Sequence, residues 1–109
     1  MAYDQVLASR IREVIGPLPE ITEKKIFGGV CYLLNGNMAC GVIKDGLIVR
    51  LAPAQFETAR SRPGTRPFAM SGKPMTGWLV VDPEGTASEA DLRGWVGQTL
   101  DFARSLPPK

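Results

Sequence analysis

Two cysteines, Cys31 and Cys40, are the side chains in this sequence best suited to covalent chemistry. They flank Asn35-Gly36, the pair favoured in a two-residue type I′ hairpin turn. Register counted outward from that turn sets Leu34 against Asn37, Leu33 against Met38, and Cys31 against Cys40. At a non-hydrogen-bonded position the Cα atoms would lie about 4.5 Å apart, at the short end of disulfide reach. One reading is therefore a labile redox pair. The other is two buried thiols acting as small hydrophobes in a reducing compartment, the commoner situation.

A second group is electrostatic. Arg60, Arg62, Arg66 and Lys73 lie in a stretch without an acid between Glu57 and Asp82. Such a patch suits an anion or nucleic-acid contact; its ordinary reading is a solvated loop. The whole chain carries 13 basic and 11 acidic residues, net +2, too balanced for charge alone to mark a nucleic-acid binder.

Histidine is absent. That excludes serine-histidine and cysteine-histidine nucleophile systems, and two cysteines cannot form a four-cysteine zinc site within one chain. No catalytic residue, cofactor or metal is expected. Glu84, Glu89 and Asp91 cluster near a helix start, where capping explains them. Gly28-Gly29 precedes a strand rather than a helix, which suits a bulge better than a phosphate loop. Phe27, Phe56, Trp78 and Trp95 would line a pocket or, more ordinarily, fill a core.

The elements that must position these residues follow from periodicity. Leu7, Ile11, Val14 and Ile15 predict a helix over 3–15, stopped by Gly16-Pro17. Ile21–Phe27 alternates as a strand. Asn35-Gly36 and Asp45-Gly46 predict two consecutive hairpins from Val30–Leu34, Asn37–Ile43 and Leu47–Leu51. Pro53 opens a short helix anchored by Phe56. A loop is expected over 61–67, a short strand over 68–70, and another over 76–81. Ser88 caps a final helix whose stripe is Leu92, Val96, Thr99, Ala103 and Leu106. The result is an α+β fold, one domain over 1–109, with an antiparallel meander of about four to six strands.

The predicted register puts Cys31, Leu33, Cys40, Val42 and Val49 on one sheet face and Tyr32, Leu34, Ile43 and Ile48 on the other. The second set is unusually apolar for a solvated face. Something is therefore expected to cover part of that face, a helix or a second copy of the chain; in the second case Tyr32, Leu34, Ile43 and Ile48 would form the protein interface of a homodimer.

The run Lys25-Ile26-Phe27-Gly28-Gly29-Val30, the hairpins ending at Arg50, Arg66-Pro67-Phe68 and Gly72-Lys73-Pro74-Met75 together resemble the N-terminal domain of the TfoX/Sxy family. Trp95 fits the aromatic position of that family's last helix. The resemblance spans about Thr22 to Leu106. It implies a curved antiparallel sheet with flanking helices, and no established catalytic residues. It also implies a link to regulators of DNA-uptake competence, which are thought to act with the cyclic-AMP receptor protein at promoters. Full-length regulators carry a second, helical domain; this chain is expected to be a stand-alone relative without it.

The functional expectation is a non-enzymatic, cytoplasmic regulatory or protein-interaction domain. Its expected partners are a second copy and a transcription regulator, with no membrane. The alternatives are nucleic-acid binding through the Arg60–Lys73 stretch and small-molecule binding between sheet and helix. No apolar run approaches the roughly 18 residues a membrane span needs, and no signal-peptide core opens the chain.

Overall fold

The computed structural model describes residues 3–26, 28–70 and 73–108, without the side chains of residues 26, 69, 70 and 73–76. Helix α1 (Gln5–Ile15) begins where the Asp4 carboxylate accepts hydrogen bonds from the backbone N–H groups of Val6 (2.9 Å) and Leu7 (3.1 Å). Two of the helix's orphan donors are thereby satisfied. It ends at Gly16, whose φ of 71° suits a residue without Cβ. Helix α2 (Pro53–Ala59) starts on its proline, as expected. Helix α3 (Glu89–Ser105) starts at Ser88, whose Oγ accepts from Asp91 N–H at 3.1 Å, with Glu89 and Asp91 near the positive end of the dipole.

The strands are β1 (Ile21–Ile26), β2 (Gly29–Leu34), β3 (Asn37–Ile43), β4 (Gly46–Arg50), β5 (Thr65–Met70) and β6 (Lys73–Val81). They form an antiparallel sheet in the order β1-β2-β3-β4-β6-β5. A single 3-10 turn, Pro83–Gly85, links β6 to α3. The fold class is α+β, as the sequence predicts.

All three helices pack on one face of the sheet. Leu7, Ile11 and Ile15 of α1 and Leu92, Trp95, Val96 and Leu100 of α3 meet Val30, Tyr32, Leu34, Cys40, Val42, Leu47, Val49, Leu79 and Val81 in one buried cluster. Ala59 and, in part, Phe56 bring α2 into it.

The sheet departs from the predicted register at two places. Asn35 and Gly36 have φ of 51° and 84°, as a type I′ turn requires, and Leu34 pairs with Asn37 and Leu33 with Met38. Tyr32 then pairs with Cys40, leaving Ala39 as an unpaired bulge residue. A one-residue slip exchanges the faces of every residue beyond it. Cys31 therefore opposes Gly41, not Cys40. The β3–β4 turn is displaced too. Val42 pairs with Leu47 and Ile43 with Gly46, so Lys44 and Asp45 are its central residues, with Lys44 at φ 55°. That displacement keeps the face parity of β4, so Ile43 and Ile48 lie where they were expected.

Two further boundaries differ. Ile26 pairs with Gly29, so the chain reverses there into a third hairpin instead of continuing through a bulge; Phe27 lies outside the described residues. Strand β5 begins at Thr65, inside the expected loop. Pro67 suggests a loop, but β5 is an edge strand, where a missing N–H costs little.

Candidate functional site

Among the described residues no helix packs across the other sheet face, although Phe102 of α3 reaches Arg50 at the end of β4. By alternation from the paired residues it carries Lys24 of β1, Cys31 and Leu33 of β2, Met38 and Ile43 of β3, Ile48 and Arg50 of β4, Trp78 and Val80 of β6, and Arg66 of β5. Cys31, Ile48 and Val80 are nonetheless only 8%, 2% and 9% exposed. Their cover comes from neighbours on the same face, which glycines allow to lie low. A Cβ built on Gly41 would stand 2.6 Å from the Val30 carbonyl oxygen and 3.3 Å from Met38 Cε. One built on Gly46 would stand 2.7 Å from Val80 Cγ1. Leu33, Met38, Ile43 and Trp78 remain half-buried.

One corner of this face brings cations and rings together. Arg50 pairs in register with Trp78, and its guanidinium carbon lies 5.4 Å from the Trp78 ring centroid and 5.5 Å from that of Phe102 on α3. Both rings are thus within cation–π range of one guanidinium. Phe68 is skipped by the β5–β6 pairing, and Gly77, at φ 91°, lies in the opposing irregular stretch of β6. The bulge brings the Phe68 and Trp78 rings to 6.1 Å between centroids, tilted by 45°. Beyond Phe68, a cleft of about 280 Å³ is lined by Ile43, Lys44, Arg66, Pro67, Phe68 and Val80.

The charge on this face has one sign. Its described strand side chains include Lys24, Arg50 and Arg66 and no carboxylate. Asp82, just past β6, accepts from Arg66 Nε at 2.9 Å. Among the described residues Arg50 has no ion-pair partner.

The two cysteines point to opposite faces, because the Ala39 bulge intervenes, which fits the reading of two buried thiols and not that of a redox pair. Side chains diverging in this way cannot be bridged, and both thiols are free. Burial pushes the Cys40 thiol up to about 12, only partly offset by a hydrogen bond with Thr99, and burial raises Cys31 as well. Both are therefore protonated near neutrality and poor nucleophiles.

The expected interface quartet divides in the same way. Tyr32 and Leu34 are 1% and 0% exposed beneath the helices, and the Tyr32 hydroxyl donates to the Ala8 carbonyl at 3.3 Å. Only Ile43 and Ile48 lie on the helix-free face.

The expected basic loop is not a single patch. Arg60 caps α2 and pairs with Glu57 at 3.2 Å. Arg62 lies over the Trp95 ring at 4.2 Å. Arg66 is in β5, paired with Asp82. Lys73 is in β6, and its side chain lies outside the described ones.

The helix side has its own concavity, about 410 Å³ between α2 and α3, lined by Ala54, Gln55, Thr58, Ala59, Arg62 and Gln98. The nearby Trp95 is 1% exposed, and its indole N–H has no acceptor among the described residues.

Sequence reasoning missed the Arg50–Trp78–Phe68 corner. The pairing of β4 with β6 skips β5 in sequence, so no local turn announces that Arg50 and Trp78 are neighbours. The available signal was parity within single strands: Arg50 shares the face of Ile48, and Trp78 that of Val80.

Among the described residues no group of acids and cysteines could hold a metal ion, and no described helix is long and apolar enough to cross a membrane. The face carries half-buried apolar side chains, two adjacent rings and cations. Comparisons with curated proteins and with solved structures give no match. The family model described as the TfoX N-terminal domain matches residues 13–103, from α1 to the end of the α3 core stripe. Most of the chain, including both faces of the sheet, lies within that match, and the protein belongs to the TfoX N-terminal domain family.

Proposed function

We propose that this protein is a non-enzymatic regulatory domain, acting in transcription control in the manner the TfoX/Sxy resemblance implies, and that it docks a macromolecular partner on the helix-free face of its sheet. The observation that carries this reading is the asymmetry of the sheet. One face is sealed by three helices, while the other leaves Leu33, Met38, Ile43 and Trp78 half-buried with no second layer over them among the described residues. Antiparallel sheets commonly expose one face, but that face is ordinarily polar. An apolar one marks an interaction surface. The chemistry supports the same reading: histidine is absent and both thiols are held protonated, so neither histidine nor a thiolate is on hand for catalysis.

The test is complementation in cells lacking the protein, with transcript levels as the readout. Wild type and Arg93→Ala, a change on the exposed side of α3, should restore the transcript pattern. Ile43→Glu, which places a carboxylate on the docking face, should not, although its circular dichroism and melting curve stay close to wild type. Transcripts indifferent to loss of the whole protein would end the regulatory reading.

A further inference from the structure

We propose that the corner formed by Arg50, Trp78, Phe68 and Lys44 binds single-stranded nucleic acid, with bases stacked on the two rings and phosphates against the cations. The inference rests on the regulatory reading for its docking face and names the class of partner that face accepts.

Arg50 is the first argument. It is half-buried, its guanidinium carbon lies within cation–π range of the Trp78 and Phe102 rings, and no described carboxylate takes its hydrogen bonds. A guanidinium has five donors in a rigid fork that fits phosphate oxygens. Of the other arginines, Arg10, Arg12, Arg60, Arg66, Arg93 and Arg104 have carboxylate partners. Arg62 has none among the described residues, but it lies over the buried Trp95 ring on the helix side.

The rings are the second argument. Phe68 and Trp78 are adjacent, half-buried and on the face no helix covers. Base stacking on such rings tolerates any sequence, because every base has a π-face. A duplex hides those faces within its own stack, so the corner selects for unpaired bases.

Charge is the third. From Arg50 the two rings lead to the cleft where Lys44 and Arg66 stand beside Phe68. Strand β4 separates the two ends by four residues, on the order of 13 Å at about 3.3 Å per residue. Cations at both ends of a pair of rings, without a strand carboxylate on the face, are complementary to a phosphate backbone carrying bases between.

The experiment uses the full chain and fluorescence anisotropy of labelled oligo-dT and oligo-U, a hairpin duplex of equal charge, and polyglutamate as competitor. Oligo-dT or oligo-U should bind at low salt and the duplex about tenfold more weakly. Trp78→Ala should weaken single-strand binding about tenfold while Trp78→Phe retains most of it. Arg50→Ala should lower the salt exponent by about 0.7, the loss of one phosphate contact on a single strand. Arg50→Lys should keep that exponent and lose part of the affinity. Melting curves identify any variant that fails to fold, and the conservative partner at each position then decides.

Absence of single-strand binding at low salt overturns the proposal. So does equal binding of duplex with no effect of Trp78→Ala, which describes general attraction to polyanions. Displacement by polyglutamate at matched charge assigns the corner to an acidic polypeptide and overturns it too. The regulatory reading is judged separately: if Ile43→Glu abolishes the transcript response while no oligonucleotide binds, the face still docks a regulator and only the nucleic-acid assignment falls.

Discussion

The two faces of the sheet bury apolar side chains by different means. On the helix side, Val42, Leu47, Val49 and Val81 are each 0% exposed because a second layer covers them. On the other side Cys31, Ile48 and Val80 are nearly as buried without a second layer, because glycines let neighbouring side chains lie across the backbone. Burial by another layer contributes cohesion to the whole fold. Burial within one layer only shields a local patch, and a partner can extend it. Equal exposure values therefore describe unequal contributions to stability.

The two tryptophans provide the strongest test of that difference, since each has an arginine on its ring. Trp95 lies in the core beneath Arg62, whereas Trp78 is half-buried beneath Arg50. Trp95→Ala should destabilise by about 3–5 kcal/mol, the cost of a large cavity between packed layers. Trp78→Ala should cost about 1 kcal/mol, because water already reaches the ring and little area is lost. Urea unfolding midpoints measure both. Equal costs would mean that the helix-free face is as much a core as the other.

Much of this architecture was legible in advance, and its one serious error has a definite cause. Asn35-Gly36 announces its turn because both central residues need positive φ, and Asp4, Pro53 and Ser88 announce their helix starts through capping chemistry. The bulge at Ala39 has no such mark, because alanine has no special backbone preference. That single residue moved Tyr32 and Leu34 into the core and separated Cys31 from Cys40. Arg50 and Trp78 illustrate the other limit, since their adjacency depends on a strand order that local pattern does not encode.

The glycines sharpen the comparison next. Gly41→Ala forces a methyl group to 2.6 Å from the Val30 carbonyl oxygen, and backbone there cannot yield cheaply. A loss of about 1–3 kcal/mol is expected, as for other overpacked sites. Gly94→Ala on α3 meets nothing within 4 Å, so it should stabilise by about 0.5–1 kcal/mol through helix propensity and reduced unfolded-state freedom. Thermal melting of the two variants should shift in opposite directions. A neutral Gly41→Ala would show that the self-covered patch does not depend on its glycines.

The helix-side core also responds to pH. Cys40, beneath the helices, is pushed up to about 12 by burial from an ordinary value of 9.0. An unfolded chain releases that proton first, so alkaline conditions favour the unfolded state. The contribution is complete below about pH 9 and is lost progressively as pH rises towards 12, at up to about 1.4 kcal/mol per pH unit for one group. Tyr32, raised mainly by burial, acts in the same direction. Unfolding free energies measured from pH 8 to 10.5 should fall, and Cys40→Ala should reduce the slope. A flat profile in wild type would contradict the sealed helix-side core.

The smallest effect on stability sharpens the comparison most directly for function. Arg66 is on the helix-free face, and its side chain is 57% exposed in its ion pair with Asp82. An exposed pair of this kind contributes little, so Asp82→Asn should change stability by no more than about 0.5 kcal/mol. Its electrostatic consequence is larger, because it frees a cation beside Phe68 and Lys44 in the cleft. Single-strand affinity should then rise, with a salt exponent larger by up to about 0.7 as a further phosphate is engaged. Asp101→Asn on α3 is the matched control: it also removes a carboxylate paired with an arginine, Arg104, but on the helix side. A general attraction of the chain for polyanions would make the two variants behave alike. Recognition at the corner makes Asp82→Asn bind more tightly and leaves Asp101→Asn close to wild type, so the two curves at low salt separate a charged surface from a site.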